Sequence, residues 1–140
     1  MRRIYLDYNA STPIDSEVAA VMGRAMADAY GNPSSLHWAG VPARQMVEEA
    51  RQQVADLLHS APGEIVFTSG GSEANNFALK GGFFASGREG AHIVTTRVEH
   101  PAILAPCHFL ERLGAKVTCV PVDGTGRVNP DDLRRAITGR

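Results

Sequence analysis

The feature that most constrains this 140-residue chain is a change of rhythm near residue 60. From Ser16 to Tyr30 the apolar positions Val18, Val21, Met22, Ala25, Met26 and Ala29 recur at helical spacing. From about Pro42 to His59, Val47, Ala50, Val54, Leu57 and Leu58 do the same. Beyond Ala61-Pro62-Gly63 short β-branched runs alternate with helices. Glu64-Ile65-Val66-Phe67-Thr68 leads to a helix from Ser72 to about Ala85. Ile93-Val94-Thr95-Thr96 leads to a helix from Pro101 to Leu113, and Lys116-Val117-Thr118-Cys119-Val120 precedes a helix from Pro130 to about Ile137. Such alternation predicts an α/β fold, with a mostly parallel sheet and flanking helices. Three strands offer little surface for two long N-terminal helices, and the last helix has no strand after it. The pattern therefore reads as an extended segment over 1–15 and, over 16–140, the N-terminal part of a larger, incomplete domain.

Composition removes several classes of function. The 14 basic and 15 acidic side chains give a formal net charge of −1, so there is no electrostatic footprint for nucleic acid. No apolar run is long enough to span a bilayer. Met1-Arg2-Arg3 is followed by Ile4-Tyr5-Leu6-Asp7, too short and too soon charged for a signal peptide. Cys107 and Cys119 form no disulfide framework. A cytoplasmic protein is expected.

Two places carry candidate chemistry. In Ile65-Val66-Phe67-Thr68-Ser69-Gly70-Gly71-Ser72-Glu73-Ala74-Asn75-Asn76, a strand feeds a two-glycine turn and then a helix. Free N–H groups at such a helix start, with the Ser72 hydroxyl, make an anion site that the helix dipole favours. Gly70 and Gly71 let the backbone approach a phosphate. No lysine follows as in a Walker loop, and the dinucleotide glycine spacing is absent. The alternative is an ordinary capped helix, with Ser72 as N-cap and Asn75 at the third helical position. The second place is His100, in Val98-Glu99-His100-Pro101, at the sheet edge where α/β proteins bind ligands. An imidazole there can stack on a flat ligand or move a proton, although a lone loop histidine is also an ordinary surface residue.

Four ordered motifs carry a resemblance. Tyr5-Leu6-Asp7-Tyr8-Asn9-Ala10-Ser11-Thr12-Pro13, Gly31-Asn32-Pro33-Ser34-Ser35-Leu36-His37, the strand–turn–helix segment and Glu99-His100 resemble, in order and spacing, the N-terminal third of cysteine desulfurases of the NifS/IscS type. These are class V aminotransferase-group enzymes that use pyridoxal 5'-phosphate (PLP) and have the fold type I large domain. The resemblance implies that Gly71 and Ser72 hold the cofactor phosphate, with Ser where Thr is common. It implies that His100 stacks over the pyridine ring and assists proton transfer, and that Asn9 and Asn32 lie near the substrate. It implies a homodimer that takes sulfur from L-cysteine as an enzyme persulfide and releases L-alanine. A sulfur-acceptor or scaffold protein would receive the sulfur for iron–sulfur cluster or thiocofactor assembly. Selenocysteine lyase-like or kynureninase-like enzymes of the same group, and a non-catalytic anion-binding module, are the competing readings.

PLP chemistry also needs a Schiff-base lysine. Lys80 lies eight residues past Ser72, about 12 Å along one helix, and Lys116 opens a strand at the far end. Neither fits. In the family pattern the lysine, the carboxylate for the pyridine nitrogen, a carboxylate-binding arginine and the nucleophilic cysteine all come later. Cys107 and Cys119 read as core thiols, and a zinc site from His92, His100, Cys107 and His108 lacks paired-ligand spacing, so no metal is expected. The chain by itself is expected to be inactive.

Overall fold

A computed structural model describes residues 3–87 and 91–137. Met1 and Arg2 of the charged start, and the stretch past Ile137, lie outside the described residues. The chain divides into two compact units, Met1–Val66 and Phe67–Arg140.

The first unit is helical. Helix α1 (Ser16–Asp28) begins where the Asp15 carboxylate accepts the Glu17 N–H at 2.8 Å, a side-chain cap for an otherwise orphan donor. Helix α2 (Gly40–Leu58) ends at His59, a left-handed cap with φ 53°, while the Ser60 N–H returns to the Ala55 carbonyl. On α2, Ala43 and Ala55 are buried, and Val47, Ala50 and Val54 are half-buried. Leu57 and Leu58, expected on the same face, are exposed. The opening segment is not simply extended: the Tyr5 phenol lies 3.0 Å from the Asp7 carbonyl and 3.1 Å from both Ser11 oxygens, which closes residues 5–11 on themselves.

Sequence reading expects a strand at 64–68, and the structure has none. Pro62–Glu64 is a single 3-10 turn, capped by the Glu64 carboxylate on the Ala61 N–H. Ile65 is in the β region (φ −90°, ψ 124°), but extended backbone becomes a strand only when a neighbour supplies a ladder. Here the Ile65 carbonyl instead accepts the Arg51 guanidinium at 2.6 Å.

The second unit is a βαβ arrangement with helices. Helix α3 (Gly71–Ser86) precedes strand β1 (His92–Thr96), helix α4 (Pro101–Glu111), strand β2 (Lys116–Val120) and helix α5 (Pro130–Ala136). The strands pair in parallel, from His92 with Lys116 to Thr96 with Val120. An isolated antiparallel bridge, Val122 to Val128, closes a turn that periodicity alone does not reveal. Cys107, Leu110, Ala115 and Val120 form the core between α4 and β2. Among the described residues no helix is long and apolar enough to cross a membrane.

Candidate active site

The turn ahead of α3 is built by Ser69 and Glu73. The Glu73 carboxylate accepts the Ser69 N–H at 2.7 Å and the Ser69 hydroxyl at 2.6 Å, so it reaches back over the helix start. That clamp lets helical backbone begin at Gly71 with Gly70 as N-cap, not at Ser72 as the capped-helix alternative requires. Ser72 then occupies the second helical position, and its hydroxyl is not spent on capping. Among the described residues, the backbone N–H groups of Gly71, Ser72 and Glu73 meet no acceptor; the first N–H used is that of Ala74, at 3.0 Å from the Gly70 carbonyl. A Cβ built on Gly71 meets nothing within 4 Å.

Two bonds with Ser69 hold the Glu73 carboxyl below its ordinary value near 4.5, the hydroxyl contributing most and the amide next, with slight desolvation opposing. Folding thus favours the ionised form. The clamp's contribution is complete above the ordinary carboxylate range and is lost as pH falls through the lowered value. Exchange of the Ser69 amide, corrected for its intrinsic rate, is expected to speed up between pH 6 and pH 3, and less so in Glu73→Gln.

His100 sits four residues past the C-terminal end of β1. The Thr96 hydroxyl donates to the Glu99 carboxylate at 3.2 Å and ties down the intervening loop. His100 is the N-cap of α4: its Nδ1 accepts the Ala102 N–H at 3.0 Å, and Pro101 fills the first helical position. Helices α3 and α4 pack together, and between them lies an open cavity of about 430 Å³. Ser72 and His100 both line it. So do Asn76, Lys80 and Phe109. Their signal was in the sequence, since 72, 76 and 80 recur every four residues on one helix face. Among the described residues, no acidic side chain lines the cavity. The Lys80 ammonium rests 4.9 Å from the centre of the Phe109 ring, with the Arg112 guanidinium 5.8 Å from that centre.

Asn9 and Asn32 belong to the first unit; the Asn32 side chain accepts the Ser34 N–H at 2.9 Å within its own turn. Lys116 is exposed at the N-terminal end of β2. Cys107 is buried, and desolvation, with added repulsion from Cys119, Glu111 and Glu99, pushes its thiol up, away from nucleophilic character. Cys119 is half-buried. Among the described residues, no group of three His, Cys, Asp or Glu is placed to hold a metal ion.

Known proteins resemble this chain in sequence and fold. A cysteine desulfurase IscS of Dictyoglomus turgidum is 49% identical over 136 residues, covering 97% of this chain and 34% of the relative. A solved NifS-like protein superposes with a TM-score of 0.90 at 37% identity, covering 99% of this chain and 38% of that one. Another, described as SspA in complex with cysteine, gives 0.87 at 38% identity, covering 96% and 39%. The chain thus spans about a third of the length of the curated relatives it matches. The aminotransferase class-V pattern matches residues 4–140, a span that includes the α3 turn and His100, and the chain belongs to that family.

Proposed function

We propose that this chain supplies the phosphate-holding turn and the ring-stacking histidine of a PLP-dependent cysteine desulfurase, acting on L-cysteine to give L-alanine and a protein persulfide. The observation that carries this reading is the shared cavity: Ser72, beside three unengaged amides at the head of α3, and His100 at the head of α4 face one space without acidic side chains. A phosphate dianion fits that donor set, because each N–H and the hydroxyl gains a charge-assisted acceptor and the helix dipole adds to the attraction. When bound, the cofactor ring supplies the electron sink that weakens bonds at the substrate's α-carbon.

The chain's own residues divide the remaining work. Gly71 and Ser72 hold the phosphate. His100 stacks on the ring and carries a proton at its edge. Lys80, on the Phe109 ring two turns along α3, and Lys116 are not assigned to the cofactor's aldehyde. On this reading that lysine and the sulfur-accepting cysteine come from outside these 140 residues. A substrate-side role for Asn9 and Asn32, a homodimer, a sulfur-accepting partner for iron–sulfur or thiocofactor assembly, and a cytoplasmic setting belong to the same proposal.

Thermal protection tests it. Inorganic phosphate and PLP at a hundredfold excess over their dissociation constants are expected to stabilise the chain by about 2.7 kcal/mol, and pyridoxal without its phosphate by far less. Ser72→Ala removes one charge-assisted hydrogen bond and is expected to weaken phosphate binding about tenfold or more. Gly71→Val fills the open approach and abolishes protection, while its ligand-free melting temperature stays near that of the parent, since the added Cβ touches nothing. Equal protection in parent and variants would sink the assignment.

A further inference from the structure

We infer that His100 meets its ligand as a hydrogen-bond donor through Nε2–H, and that the Ala102 backbone amide is the positioning group that keeps it in that form. The ligand's identity rests on the proposed function; the state of the ring does not.

A backbone N–H can only donate. With the Ala102 nitrogen 3.0 Å from Nδ1, that ring nitrogen must present its lone pair. A neutral imidazole has one proton, which is then on Nε2. The surroundings leave no other arrangement. Pro101 has no N–H, and the Ile103 and Leu104 amides both go to the His100 carbonyl, at 2.8 and 3.3 Å. The Ala102 amide is therefore the one donor at this helix head that the ring must satisfy. The opposite tautomer would set two N–H groups against each other, and a flipped ring would offer a C–H where a lone pair is needed. Among the described residues Nε2 itself has no partner, so it is the ring nitrogen left for the cavity.

The consequence is directional. Nε2 already holds a proton before any ligand arrives, so the ring gives a hydrogen bond to an anionic oxygen or sulfur, such as the carboxylate or thiolate of a thiol amino acid. It takes no proton from that ligand at Nε2. The ring can gain a second proton only at Nδ1, which breaks the Ala102 bond and uncaps α4.

The full chain labelled with ¹⁵N tests this without cofactor. At pH 9, where a free imidazole is uncharged, long-range ¹H–¹⁵N spectra of the His100 ring are expected to show a protonated Nε2 and a bare Nδ1. A proton on Nδ1 overturns the inference. Exchange of the Ala102 amide gives a second readout. It is expected to be about tenfold faster in His100→Ala and close to the parent rate in His100→Asn, whose side-chain oxygen is a good N-cap acceptor. Equal rates in all three proteins overturn it. Neither measurement uses phosphate or PLP, so missing phosphate protection would count against the proposed function and leave this inference standing.

Discussion

Replacing Gly31 with alanine is expected to lower the unfolding free energy by about 3 kcal/mol. The added Cβ would lie 1.9 Å from the Ala39 carbonyl oxygen and 2.3 Å from its carbon, both backbone atoms that cannot swing aside like a side chain. The opposite wall is also too close for a side chain: a Cβ on Gly40 would lie 2.5 Å from the carbonyl oxygens of Asn32 and Ser35. Two glycines therefore let the turn over residues 31–35 sit directly on the head of α2. Inside the turn, Asn32 accepts the Ser34 N–H through its side chain and the Ser35 N–H through its carbonyl, each at 2.9 Å, and Arg44 donates to the Pro33 carbonyl at 2.8 Å. Nothing in that set can yield without another bond lengthening. Urea titration of Gly31→Ala measures the loss, and a change below 1 kcal/mol would show that the turn is not pressed on the helix.

Leu110→Ala is expected to cost a similar amount, about 3 kcal/mol, by a different route. Leu110 has no exposed surface, so truncation leaves a cavity between α4 and β2. Its carbonyl also accepts the N–H groups of Leu113 and Ala115, both at 3.0 Å, where the chain leaves α4 through Gly114 (φ 98°) and enters β2. Loss of packing there loosens the helix that holds His100 at its other end. Phosphate protection is expected to fall together with stability, whereas Gly71→Val separates the two. A Leu110→Ala protein that melts within a degree or two of the parent would place the core elsewhere.

The helices were legible because their ends are chemical. The prolines at 101 and 130 mark starts that the structure keeps. The segment at 64–68 misled because a strand is a relation between two segments. Its β-branched residues state a preference, but Arg51 took the Ile65 carbonyl and no ladder formed. Much of the apolar stripe of α1 is likewise exposed at Val18, Val21, Met22 and Met26, so periodicity gave the helix without its cover.

At the candidate site, the helix-head positions of Ser72 and His100 were legible and their hydrogen bonding was not. Spacing placed Ser72 and His100 at helix heads, and both line one cavity. That Gly70 caps α3 depended on Glu73 reaching back to Ser69, a side-chain choice no periodicity encodes. That His100 caps α4 depended on one ring nitrogen turning inward.

The strand register has a consequence for how the protein is made. His92 pairs with Lys116 and Thr96 with Val120, so each β1 residue meets a partner 24 positions further on. At ribosomal speeds that stretch takes about 1–5 s to synthesise. Once β1 has left the exit tunnel, the ladder groups that β2 will take stay bare for an interval of that order, while α3 and then α4 fold beside it.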